Sequence, residues 1–218
     1  MKKYLFICIV LMVLLCACAP AAPSAPPSAP AVPSPSAISG ANPSPSPTAA
    51  PTPSPTPTPA PKEMSITSDG ITNGVIGEEF GAHGSQKKSG IPTLSLPVSI
   101  TDTPEGTACV AITMLDPDSV PLCGYEWVHW LAISTDILDL PSNASIDLAD
   151  TLIQGKNDFN APGYGGPTPP DKPHTYVITV YALDASPNLT DGFSKDDLLS
   201  SIEGHVLATA TLQGQYSN

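Results

Sequence analysis

Apolar residues in the second part of the chain fall into short runs broken by Gly and Pro, and the runs carry strand periodicity. Residues 109–115 are apolar almost without interruption and read as an apolar strand. Residues 127–133 set Trp127, His129, Leu131 and Ile133 at alternate positions, on one face of a strand. A third strand is predicted over 175–183, bounded by Pro173 and Asp184, and a fourth over 206–212. One helix is predicted: Ser194 caps it, Asp197 follows three residues later, Leu198, Leu199 and Ile202 form the apolar stripe, and Gly204 stops it. The pattern is mainly β and points to an antiparallel sandwich or barrel with small helical additions, one near the C-terminus.

The first 62 residues are a different material. Sixteen of the 28 prolines lie between Pro20 and Pro61, and every acidic residue lies at Glu63 or later. Met1-Lys2-Lys3 precedes an apolar stretch from Tyr4 to Leu15, the layout of a signal peptide and too short for a comfortable membrane span. Leu15-Cys16-Ala17-Cys18 resembles a bacterial lipobox. It implies a signal peptide over 1–17 and acylation of Cys18; an ordinary secretory cleavage nearby is the alternative. Residues 18–62, rich in Pro, Ser, Thr and Ala, cannot build a core and read as a disordered, extended linker reaching on the order of 100 Å. Residues 63–218 are the size of one ordinary domain.

Charge removes whole classes of partner. Within 63–218, five lysines face twenty acids, a formal charge of −15, and the chain contains no Arg. That excludes the basic footprint of a nucleic-acid binder and electrostatic docking on anionic lipid. Membrane contact is therefore expected through the lipid anchor only. An anion site would rely on backbone N–H groups, His or a lone Lys. Cys109 opens one predicted strand, and Cys123 lies past that strand's far end, so a disulfide between them is not expected.

Polar residues gather at the ends of three apolar runs. Asp116-Pro117-Asp118 follows the first strand, so two carboxylates leave a Pro-fixed turn together. Trp127-Val128-His129-Trp130 puts an imidazole inside an apolar strand. Gly163-Tyr164-Gly165-Gly166-Pro167-Thr168-Pro169-Pro170 frees backbone N–H groups for a ligand, and His174 and Tyr176 then share a strand face. Asp116 and Asp118 read as acid and base, metal ligands, or orienting turn residues, and His129 and His174 as catalytic, ligand-binding or core histidines. No Gly-x-Ser-x-Gly elbow occurs, and neither Cys109 nor Cys123 has a local partner that would activate it. A non-catalytic protein without cofactor or metal is expected.

Those motifs, with the closing Glu203-Gly204-His205-Val206-Leu207-Ala208, resemble the phosphatidylethanolamine-binding protein family, most nearly its bacterial Raf kinase inhibitor-like branch. The resemblance covers roughly residues 64–216 and implies a β-sandwich of two antiparallel sheets with small peripheral helices. It also implies a small anion pocket formed by Asp116, Asp118, His129, Gly166, His174 and Tyr176. Tyr125 falls one residue out of register with another pocket tyrosine of the family. Thr175 stands where the family commonly has Arg, Ser119-Val120-Pro121 where it commonly has Ala-Pro, and the strand before 109–115 lacks its frequent Trp. Taken with the lipobox-like N-terminus, the resemblance leads to the expectation of a lipid-anchored envelope module that binds a small anion or phosphorylated head group. Two alternatives stand beside it: an interaction or inhibitor module for an envelope protein, and a vestigial pocket.

Overall fold

The computed structural model describes residues 63–136 and 139–218; the predicted signal peptide, Cys18 and the linker lie outside the described residues. The described strands are β1 (Ser65–Thr67), β2 (Ile71–Thr72), β3 (Val75–Ile76), β4 (Lys87–Lys88), β5 (Ile91–Pro92), β6 (Val98–Thr101), β7 (Cys109–Asp116), β8 (Trp127–Ser134), β9 (Asp139–Leu140), β10 (Ile153–Gln154), β11 (His174–Leu183) and β12 (Val206–Tyr216). Helices are short: α1 (Val120–Cys123), α2 (Ala144–Asp147) and α3 (Lys195–Ile202).

Seven strands form one sheet in the order β10-β8-β7-β11-β12-β3-β2, and β1-β6-β9 form a second. Pairing is antiparallel except between β12 and β3. The long apolar runs of β7 and β8 follow from burial on both sides. On one side Val110, Ile112, Met114, Ile178 and Val180 meet Ile66, Val98 and Ile100 of the three-stranded sheet. On the other, Ala111, Leu131 and Ile133 pack with Phe193, Leu198 and Ile202. The described residues form a β-sandwich with a helix against the outer face of its larger sheet, which decides between the sandwich and barrel that the residue pattern left open.

The α3 cap is a reciprocal box: Ser194 Oγ accepts the Asp197 N–H, and the Asp197 side chain accepts the Ser194 N–H. Its apolar stripe differs from the prediction. Leu198 is fully buried, whereas Leu199 is 41% exposed, because only one position of the adjacent pair can face the sheet. Cys109 and Cys123 are both free, the first buried at the start of β7 and the second exposed at the end of α1.

A single irregularity matters for the site. Met114 pairs with Trp130, but Leu115 pairs with Val128 and Asp116 with Trp127. His129 is thus the extra residue of a β-bulge. The predicted alternation fails there. Val128, not His129, shares the face of Leu131 and Ile133, and the imidazole turns instead toward Tyr176 of β11.

Leu198→Ala should lower unfolding free energy by about 2–5 kcal/mol, while Leu199→Ala changes it by about 0.5 kcal/mol or less. Urea unfolding of both variants checks the observed stripe against the predicted one.

Candidate ligand-binding site

At one end of β7, β8 and β11 lies a cavity of about 260 Å³. Four of the six residues that the family resemblance singled out, Asp116, His129, His174 and Tyr176, line it together with Trp127, Phe159 and Thr168. The four arrive from three strands. Asp116 ends β7 before Pro117 starts a 3₁₀ turn. His129 sits at the bulge of β8, and His174 and Tyr176 stand two apart at the start of β11.

The histidines are held in opposite states. His174 is buried, with Nδ1 2.7 Å from Asp116 Oδ2 and Nε2 2.9 Å from Asp171 Oδ1. Carboxylates facing both ring nitrogens require both to donate, which is the imidazolium. Burial pulls its pKa down, but the bonds to Asp116 and Asp171 together outweigh burial and raise it above the usual value. In turn the His174 bond holds the Asp171 carboxyl below its usual range. His129 donates from Nδ1 to the Gly165 carbonyl at 2.5 Å, and its own carbonyl accepts the Gly165 N–H at 2.8 Å. Burial pushes its pKa down to about 4, against a smaller opposing pull from the Gly165 carbonyl. Near neutral pH it is a neutral ring. Phe159 and Tyr176 meet its ring edge to face, with centroids 5.7 and 5.0 Å away. Burial, then the Asp116 charge, raises the Tyr176 phenol pKa.

Three side-chain polar atoms of the cavity residues are buried with no hydrogen-bond partner: Asp116 Oδ1, Trp127 Nε1 and Tyr176 Oη. They are an acceptor, a donor and a group that does either. Among the described residues no cluster of three or more His, Cys, Asp or Glu side chains has the geometry to hold a metal ion.

Two predicted residues do not reach the cavity wall. Asp118 Oδ2 accepts the Thr175 N–H at 2.8 Å, and Lys172 Nζ lies 3.7 Å from Oδ1. Asp118 therefore ties the Asp-Pro-Asp turn to the start of β11. The Gly166 N–H, expected to face a ligand, donates to the Pro92 carbonyl at 2.9 Å. Glycine is needed there because a Cβ would fall against the Phe80 carbonyl. Tyr125 is 49% exposed, stacks on Trp127 and stands outside the cavity.

Other residues take up what these leave. Thr168, two positions past Gly166, lines the cavity, and its backbone lies beside the Tyr176 hydroxyl. Ser119, at a position where the sequence departs from the family motif, is buried. Its Oγ accepts the Trp127 N–H at 2.8 Å and lies 2.6 Å from the Asp116 carbonyl, stapling the turn to β8. Asp171 lies three residues before His174, a spacing that in hindsight marks a carboxylate within reach of the ring.

An open-ended sandwich enclosing a small cavity walled by two histidines, a buried aspartate and aromatic rings defines a ligand-binding class of fold. Comparison with known proteins then fixes the family. The model of the phosphatidylethanolamine-binding protein family matches residues 67–217, and the chain belongs to that family. It is 41% identical over 140 residues to the uncharacterised protein YxkA of Bacillus subtilis, covering 58% of this chain and 83% of that protein. Identity to a Chlamydia muridarum UPF0098 protein is 38% over 128 residues, covering 56% of this chain and 82% of the relative. The crystal structure of Escherichia coli YbcL, described as a new member of the mammalian family, superposes with a TM-score of 0.61 at 29% identity. That match covers 72% of this chain and 99% of YbcL. CT736 of Chlamydia trachomatis superposes with the same TM-score at 31% identity, covering 72% and 98%.

The two imidazoles should titrate on opposite sides of 6.5, the ordinary histidine value. Heteronuclear NMR of the ring nitrogens is expected to show His174 above it and His129 near 4. The linkage signs are opposite. His129, depressed in the fold, contributes stability that is present above pH 6.5 and lost as pH falls from 6.5 toward 4, on the order of 3 kcal/mol in full. His174, raised in the fold, contributes stability present below 6.5 and lost as pH rises through its folded value. Both rings titrating together near 6.5 would contradict the hydrogen bonding described.

Proposed function

We propose that this protein is a non-catalytic binding module of the cell envelope, of the bacterial Raf kinase inhibitor-like branch, whose cavity takes a small anion or phosphorylated head group. The observation that carries the reading is a pair of buried, unpartnered polar groups, Trp127 Nε1 and Tyr176 Oη, in a cavity of about 260 Å³. Buried donors left without a partner favour a bound acceptor such as an oxyanion.

The non-catalytic reading is supported by what the cavity thiol does. Cys123 lines the cavity, but its Sγ lies 3.4 and 3.2 Å from the Ser119 and Tyr125 carbonyls. No hydrogen bond pairs it with an imidazole, so the thiol lacks the base that nucleophilic catalysis requires.

The envelope address rests on the sequence, with Cys18 as the acylated residue and residues 18–62 as the spacer. A second reading, contact with an envelope protein, is favoured by one observation. Val120, Leu122 and Tyr125 stand 42–52% exposed on and just after α1, and Leu122 also lines the cavity. Clustered exposed apolar residues mark interaction surfaces.

In an NMR titration with phosphate, the His129 and His174 signals should shift saturably, and His129→Ala should weaken binding about tenfold or more. No shift at millimolar phosphate would refute the anion pocket and leave the protein-contact reading. Metabolic labelling with an alkyne fatty acid should tag the wild-type chain and not Cys18→Ser; equal labelling of both would refute the anchor.

A further inference from the structure

We infer that the cavity selects oxyanions that bring a hydrogen-bond donor of their own, and that Asp116 Oδ1 makes the selection. This deepens the anion-binding reading above and rests on it. The class of ligand implied is a protonated phosphate, or a phosphoryl compound that still bears an O–H at the bound group, in preference to an aprotic oxyanion such as sulfate.

The argument starts from which lone pairs are spoken for. Asp116 is 4% exposed. Its Oδ2 accepts from His174 Nδ1 at 2.7 Å, while Oδ1 is buried and accepts from nothing. Ionised carboxylates are acceptors only, and a buried acceptor without a donor is costly to leave unmet. No nearby side chain is committed to it: Tyr176 Oη and Trp127 Nε1 are themselves unpartnered.

The wall therefore presents an acceptor as well as donors. An oxyanion without protons meets Trp127 Nε1 and Tyr176 Oη, but it also sets a negative oxygen beside a carboxylate oxygen with no proton between them. An oxyanion with one O–H meets the same donors and gives its proton to Asp116 Oδ1. Sites built around a buried polar partner reject analogues that lack the matching group far more strongly than apolar pockets reject a missing methylene. The charge on His174 does not relax this, because both its N–H groups already point at carboxylates.

Three dianions isolate the donor. At pH 7.5 hydrogen phosphate keeps one O–H, whereas methyl phosphate, ionised above about pH 6 as phosphomonoesters are, and sulfate keep none. Isothermal titration of the full chain in nonionic detergent, at matched ionic strength, should give phosphate an affinity at least about tenfold above both others. In Asp116→Asn the amide offers its own N–H, and the phosphate preference should collapse toward unity. Equal affinity of wild type for all three dianions would overturn the selection while leaving the anion pocket standing. A preference that survives in Asp116→Asn would overturn the assignment to Asp116. Absence of binding by any of the three would overturn both this inference and the anion reading. The wild-type comparison decides the selection even where Asp116→Asn fails to fold.

Discussion

A strand in a sheet offers its side chains only two directions, and β8 needs a third. Its apolar residues must fill the cores on both faces of the large sheet, while its single imidazole must reach the cavity at the sheet's end. The bulge opposite Leu115 resolves the conflict. By inserting one unpaired residue it shifts the alternation of β8, so Trp130 and Ala132 enter one core, Val128 and Leu131 the other, and His129 turns toward Tyr176. Remove the extra residue and the register of one end of β8 slips by one, which exchanges the faces of everything on that side. The Gly165 loop closes on the bulge through two hydrogen bonds to His129, and the rest of the cavity wall is arranged around that ring.

The second histidine shows a different balance. Burying an imidazolium is costly, and a single carboxylate would not obviously offset it. Here two carboxylates share the ring, one buried at Asp116 and one reaching solvent at Asp171, whose side chain is 44% exposed. Deep electrostatic strength and partial hydration are combined in one unit. The cost shifts to Asp116, whose second oxygen is left without a partner. Ser119 and Asp118 stabilise this arrangement from outside, the first by joining the Asp116 turn to β8 and the second by joining it to β11. The Asp-Pro-Asp segment is thus one residue of chemistry and one of architecture.

Much of this was legible in the residues. The four long strands follow from apolar runs and turn residues, and the cap of α3 from the Ser194–Asp197 spacing. The pairing of His174 with Tyr176 follows from strand alternation, which holds where the strand is regular. It fails for His129 because a bulge leaves no mark in a run of apolar residues: Val128, His129 and Trp130 read equally well in either register. The glycine loop misleads for another reason. Gly166 looks available for a ligand, but a glycine is also required wherever backbone packs on backbone, and here the Phe80 carbonyl demands it. Such a demand comes from a segment more than eighty residues away, which no local pattern contains. The residue of this loop that lines the cavity lies two positions on, at Thr168, whose side chain gives no sign of it.

The chain's overall charge bears on how the cavity works. With a formal charge of −15 on residues 63–218 and no Arg, the surrounding field repels anions rather than gathering them. Salt limits the reach of that field to about 8 Å at physiological ionic strength, so what happens inside depends on groups within a few ångströms. Those groups are not a cluster of cations. The imidazolium between Asp116 and Asp171 is outnumbered by its own partners, and the remaining contributions come from an indole N–H, a phenol and the backbone at Thr168. Such a wall offers little net attraction and a definite pattern of donors and acceptors. On the anion reading proposed above, discrimination would come from where protons sit on the ligand rather than from the ligand's charge, and an acidic surface that repels casual anions accords with a site of that kind.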